Sequence, residues 1–305
     1  MTLLDRAIVR LLPAVPRQVV QMFSGRYIAG ETLNDAVGVV KRLNAEGKMT
    51  TIDVLGEEIT REGDARAIAQ AYRDVFDEIE REHLDSNVSV KLTALGLGLS
   101  YDTCRANLEA VARQAAEDHS FVRIDMEDSS TTDETLRLYR ELREAGHENL
   151  GVVLQAYLRR TLDDIRALAD LRPNVRLCKG IYVESPSIAF DDADAIRANF
   201  VRCLGALLDV HAYVGIATHD EHLIEEALRI VGDRGLARDD YELQMLLGVR
   251  EQRADRLIAD GHRLRVYVPF GEQWYAYSLR RLQENPAMAG TIARATVGRV
   301  LGRAS

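Results

Sequence analysis

The segment VSVKLTAL sets Lys91 inside an otherwise apolar run, where an ammonium group requires a partner. FVRIDMED, the next run of this kind, offers Asp125, and side chains on neighbouring parallel strands about 5 Å apart can pair. Such a pair suits a structural salt bridge or the polar wall of a pocket. A Schiff-base lysine needs a depressed pKa, which a carboxylate neighbour opposes. In RLCKGIY, Arg176 and Lys179 stand three residues apart and Gly180 follows, so two cations and a backbone open to close approach suit an anionic or electron-rich ligand. VVLQAY adds Gln155, and ATHD adds Thr218 and His219. Glu127 and Gln244 hold comparable positions near the ends of their own runs.

The densest constellation is RVYVPFGEQWYAYSLRRLQENP. After Tyr267 and a turn at Gly271, helical spacing puts Tyr277, Arg280, Arg281 and Glu284 within about two turns, and the glutamate lies three and four residues beyond the arginines. The surrounding Trp274, Tyr275 and Leu279 favour burial, and two buried guanidinium groups call for an anion such as a carboxylate. No His/Asp/Glu/Cys cluster has metal-ligand spacing, so no metal is expected.

These residues fall on a repeat. Apolar, β-rich runs at 49–57, 87–95, 121–128, 150–157, 174–182, 212–219, 241–248 and 263–271 alternate with helical stretches. Near-continuous apolar runs read as parallel strands buried on both faces. Eight βα units predict a (βα)8 barrel, whose active site lies at the carboxyl ends of its strands. Between strands, Ala67, Ile68, Ala71, Tyr72, Val75, Phe76 and Ile79 form one helical core stripe, and Leu108, Val111, Ala112 and Ala115 another. Residues 1–48 precede the first strand and read as amphipathic helices broken by Pro13 and Pro16, forming an N-terminal arm; residues 49–305 form the barrel and its C-terminal helices.

The chain has 305 residues and a formal net charge of −9, with no basic run and no aromatic–basic interleaving, which argues against nucleic-acid binding. Asp5, Arg6 and Arg10 interrupt the first apolar stretch, so neither a signal-peptide core nor a spanning helix is expected there. Cys104, Cys178 and Cys203 are widely spaced thiols and fit a reduced cytoplasmic protein.

Read in order, VSVKLTAL, RIDMED, VVLQAY, RLCKGIY, IATHD and YVPFG…YAYSLRRLQENP resemble the blocks of the proline dehydrogenase (proline oxidase) family across residues about 85–290. The resemblance is to the short monofunctional bacterial type, and to the corresponding domain of bifunctional proline utilization proteins. It implies a distorted TIM-like (βα)8 barrel holding FAD noncovalently and oxidising L-proline to Δ1-pyrroline-5-carboxylate by hydride transfer from C5 to flavin N5, the first step of proline catabolism. It further implies a quinone acceptor reached by peripheral contact at the inner face of the cell membrane, and a separate pyrroline-5-carboxylate dehydrogenase. On this resemblance Asp125 and Arg176 stand at the reacting centre. Lys91, Tyr267, Tyr277, Arg280, Arg281 and Glu284 bind substrate, and Met126, Gln155, Arg176, Lys179, Gly180, Ile181, Thr218 and His219 hold the cofactor. Val183 departs from the family pattern of the bifunctional proteins, which carry Trp there. A Schiff-base aldolase using Lys91 or Lys179 and a non-catalytic scaffold are the competing readings. Flavin colour in the purified protein separates them.

Overall fold

The computed structural model describes residues 25–56, 59–275 and 277–278. Eight parallel strands close in sequence order into one barrel. They are β1 (Met49–Val54), β2 (Ser86–Val90), β3 (Val122–Ile124), β4 (Leu150–Gln155), β5 (Asn174–Cys178), β6 (Tyr213–Ala217), β7 (Tyr241–Leu246) and β8 (Leu264–Phe270). Helices join them: α2 (Glu62–Arg81), α3 (Tyr101–Glu117), α4 (Thr132–Glu144), α5 (Thr161–Leu168), α6 (Ala193–Asp209), α7 (Glu221–Asp233) and α8 (Glu251–Ala259).

The strands are shorter than their apolar runs. β2 stops at Val90 and β3 after three residues, so Lys91 and Asp125 are the first residues beyond their strands. The Asp125 N–H still donates to the Val90 carbonyl at 2.8 Å, which fixes the two strand ends side by side. Past the ladder, run 87–95 continues into a turn held against α3, where the Leu92 and Leu95 carbonyls accept from Cys104 and Asn107, whereas run 121–128 becomes acidic and keeps only Met126 buried as an apolar residue.

Helix α1 (Leu33–Ala45) precedes the barrel and begins at a reciprocal cap: Asp35 N–H donates to Thr32 Oγ1, and Thr32 N–H donates to Asp35 Oδ2. Its Ala36, Val37, Val40 and Leu43 are buried in the same core as the strands, so this segment closes over β1 and β8. The remainder of the expected arm, residues 1–24, lies outside the described residues. The α2 stripe is narrower than its sequence pattern predicts: Tyr72, Val75, Phe76 and Ile79 are buried, but Ala67 faces solvent.

The barrel interior is unusually polar. Arg123, Arg176 and Glu242 are buried within it, and Arg265 is close to buried. Two crossings make room for them. Arg123 on β3 reaches over β4 to donate from Nη1 to the Asn174 carbonyl of β5 at 2.7 Å, and its register partner on β4 is Gly151. A Cβ at Gly151 would overlap that guanidinium and come within 2.7 Å of the same carbonyl. Among the described residues no carboxylate forms an ion pair with Arg123, and burial pushes its guanidinium down to about 9.

Candidate active site

The carboxyl ends of the strands open into one cavity of about 950 Å³, lined by Lys91, Asp125, Gln155, Arg176, Lys179 and Tyr267 among others. Its floor is a continuous hydrogen-bonded cluster. Asp125 Oδ1 accepts from Arg176 Nη1 at 2.6 Å and from Ser89 Oγ at 2.7 Å, and Asp125 Oδ2 accepts from Tyr267 Oη at 2.9 Å. Arg176 lies over the Tyr267 ring, 5.2 Å from its centroid. Burial beside two carboxylates pushes the Tyr267 phenol far above its ordinary value, so the hydroxyl remains a donor.

Lys91 has the expected Asp125 within ion-pair range, but a second carboxylate stands closer. Its Nζ donates to both oxygens of Asp53 at 2.8 and 2.9 Å, and Asp125 Oδ2 stands farther off at 3.9 Å. Asp53 is fully buried on β1, in register with Ser89 of β2, and also accepts from Tyr72 Oη at 3.2 Å. Burial pushes the Asp53 carboxyl up against the pull of Lys91. Asp53 is thus the principal partner of Lys91 among the described residues, and Asp125 belongs first to Arg176 and Tyr267.

Beside this cluster, on β4, Gln155 Nε2 donates to the carbonyls of Met126 and Glu127 at 3.2 and 3.3 Å, while Gln155 Oε1 is buried without a hydrogen-bond partner among the described residues. A buried acceptor in that state favours a ligand N–H. Gly180 takes φ +101°, and a Cβ there would come within 2.8 Å of Tyr157 Cγ. Gly180→Ala should therefore lower stability by roughly 1–3 kcal/mol through strain and overlap, measured as a drop in urea midpoint with unchanged slope. An unchanged midpoint would show that this turn relaxes freely. Lys179 lies at the rim, and its Nζ donates to Asp220 at 3.3 Å; Asp220 also accepts from Arg197 at 2.9 Å. Burial raises the Asp220 carboxyl, but Arg197 and Lys179 outweigh it and hold it below the ordinary range. Thr218 and His219 line the same wall, and the Leu246 N–H donates to His219 Nε2 at 2.9 Å, which puts the proton of a neutral ring on Nδ1. Ile181 is half exposed beside them, and Tyr277 is buried at the edge of the cavity.

The family model for proline dehydrogenase matches residues 36–294. The chain belongs to the proline dehydrogenase family. It is similar to proline dehydrogenase 1 of Bacillus subtilis subsp. natto, 39% identical over 269 residues, covering 88% of this chain and 89% of that one. It is also similar to proline dehydrogenase of Deinococcus radiodurans, 36% identical over 285 residues and covering 91% of each. Among solved structures, proline utilization A of Bdellovibrio bacteriovorus, inactivated by N-propargylglycine, superposes with a TM-score of 0.82 at 26% identity. That match covers 87% of this chain and 33% of the longer protein, so the chain spans about a third of it.

Of the residues singled out from sequence, Lys91, Asp125, Met126, Gln155, Arg176, Lys179, Gly180, Ile181, Thr218, His219, Tyr267 and Tyr277 all line this one cavity. Arg280, Arg281 and Glu284 lie outside the described residues. Asp53, Ser89 and Tyr72 were missed. Asp53 carried the same signal as Lys91, a charge between Ile52 and Val54 in a buried run, and Tyr72 was counted only for its ring. Among the described residues no His/Cys/Asp/Glu group is arranged to hold a metal, and no helix is long and apolar enough to cross a membrane.

Proposed function

We propose that this chain is a flavin-dependent proline dehydrogenase, oxidising L-proline to Δ1-pyrroline-5-carboxylate with FAD held noncovalently in the cavity at the carboxyl ends of the strands. The observation that carries the reading is the convergence of Lys91, Asp125, Arg176 and Tyr267 on one cavity floor in a chain of this family.

The cavity fits such a cofactor on its own terms. Gln155 Oε1, buried without a hydrogen-bond partner among the described residues, asks for an N–H donor, and Lys179, paired with Asp220, offers a cation at the rim. On this reading Met126, Gln155, Arg176, Lys179, Gly180, Ile181, Thr218 and His219 hold FAD, which when bound supplies the two-electron acceptor that amine oxidation requires. Arg176, fixed by Asp125, Ser89 and Gln244, keeps its charge in place at a site shielded from water. Tyr267 and Tyr277 wall the ring pocket, and Lys91 sets its charge. Arg280 and Arg281 take the proline carboxylate and Glu284 orients them, so that binding the carboxylate at two points limits rotation of the ring. Residues 1–48 serve as an arm on a catalytic barrel of residues 49–305. Electrons pass to a quinone through peripheral contact at the inner face of the cell membrane, and a separate pyrroline-5-carboxylate dehydrogenase takes the product.

The purified protein should be yellow, and saturating L-proline should bleach its flavin absorption without oxygen. A flavin spectrum unchanged by proline would overturn the substrate, and a colourless protein that borohydride traps with its substrate would favour the Schiff-base alternative.

A further inference from the structure

Arg176 stands on β5 and Gln244 on β7, with β6 between them, yet Arg176 Nε donates to Gln244 Oε1 at 2.6 Å. The bond crosses β6 at Gly215, which is in register with Arg176 on one side and with Glu242 on the other. A Cβ at Gly215 would overlap the Gln244 amide and come within 2.9 Å of its Cδ. The missing side chain is therefore the passage through which Gln244 reaches the arginine.

Gln244 is itself aimed from below. Its Nε2 donates to Glu242 Oε1 at 2.5 Å, and that oxygen also accepts from Arg265 Nε at 2.8 Å. Burial raises the Glu242 carboxyl, but Arg265 more than offsets it, holding the group below its ordinary value and ionised. An amide between a guanidinium donor and a carboxylate acceptor has one orientation that satisfies both: oxygen toward Arg176, nitrogen toward Glu242. The cavity-facing guanidinium is thus held at Nε from beneath and at Nη1 by Asp125 and Ser89.

We propose that Gln244, oriented by Glu242 and admitted by Gly215, is a positioning residue that sets the placement of Arg176 and through it the electron affinity of the bound flavin. The inference rests on the reading that FAD occupies this cavity with Arg176 beside it. A cation held close to the flavin favours its reduced form, and one released to turn toward bulk water does so less. Glu242 and Gly215 lie below the cavity and touch no ligand, so their effect travels through the amide.

The test is the midpoint potential of the flavin in the holoenzyme, with Arg176→Met as reference and with Gln244→Leu and Gly215→Ala as the two probes. Gly215→Ala removes no polar atom and should act only by displacing Gln244. Both probes should shift the potential negative, in the direction of Arg176→Met and by less, on the order of tenfold in the reduction equilibrium or about 30 mV for a two-electron couple. Proline-dependent kcat should fall with the potential while KM changes little. If Arg176→Met shifts the potential and both probes hold the wild-type value, the relay is refuted and the flavin reading stands. If Arg176→Met itself shifts nothing, Arg176 is not beside the flavin and both ideas fail. Should one probe not fold, as judged by its urea transition, the other decides alone; if neither folds, the mild Gly215→Ala change is intolerable for packing and the relay is overturned as a separable function.

Discussion

Asp125→Ala should lower kcat/KM for proline by roughly 30- to 1,000-fold, about 2–4 kcal/mol, because one carboxylate fixes two groups that line the cavity. Its removal leaves Arg176 Nη1 without its 2.6 Å acceptor and Tyr267 Oη without its 2.9 Å acceptor. The guanidinium and phenol can then turn toward other partners, so that both the charge and the aromatic wall of the cavity floor shift. Asp125→Asn separates charge from shape: it keeps a carbonyl acceptor and should recover part of the loss. Steady-state kinetics on both variants, at equal flavin content, decide it. A kcat/KM for Asp125→Ala within threefold of the wild type would show that Asp125 neither organises nor touches the reacting centre.

The largest effect on stability is expected at Asp53. Asp53→Ala removes the two nearest acceptors of the buried Lys91 ammonium and leaves Asp125 at 3.9 Å, and breaking a buried pair from one side costs about 3–5 kcal/mol. Lys91→Met should cost a comparable amount by stranding the carboxylate. Replacing both, as Asp53→Ala with Lys91→Met, should cost much less than the sum, since an uncompensated charge no longer remains on either side. Urea unfolding of the two single variants and the double gives the coupling directly. Additive losses would mean that the 2.8 and 2.9 Å contacts contribute nothing beyond packing.

The barrel was legible because parallel strands buried on both faces leave long apolar runs, and eight of them with helices between can close only in a few ways. The ends of those strands were less legible. Residues 91–95 stay as apolar as the strand before them, though they belong to a turn held against α3 by Cys104 and Asn107. The expected Lys91–Asp125 ion pair is present at 3.9 Å but secondary, for a definite reason: β2 has two neighbours, and β1 brings Asp53 closer to Lys91 than β3 brings Asp125. Asp53 was in plain view between Ile52 and Val54. Tyr72 could not be found by periodicity, since helical spacing reports which face a ring occupies and says nothing of where its hydroxyl ends. The Arg176–Gln244 bond was equally out of reach, because it skips a strand, and only the register of β5, β6 and β7 reveals that a glycine stands in the gap.

Two glycines, Gly151 and Gly215, each stand where a long polar side chain passes over one strand to meet the next. Neither glycine is free to acquire a side chain by itself, and neither crossing residue can be shortened without leaving a hole beneath the cavity. Positions 123 and 151, and positions 215 and 244, are therefore expected to change as pairs over evolutionary time, a small residue at one answering a large one at the other. Single replacements at Gly151 or Gly215 should be strongly selected against in a pooled variant library, while the matched doubles that trade bulk across each pair should survive more often than their separate effects allow.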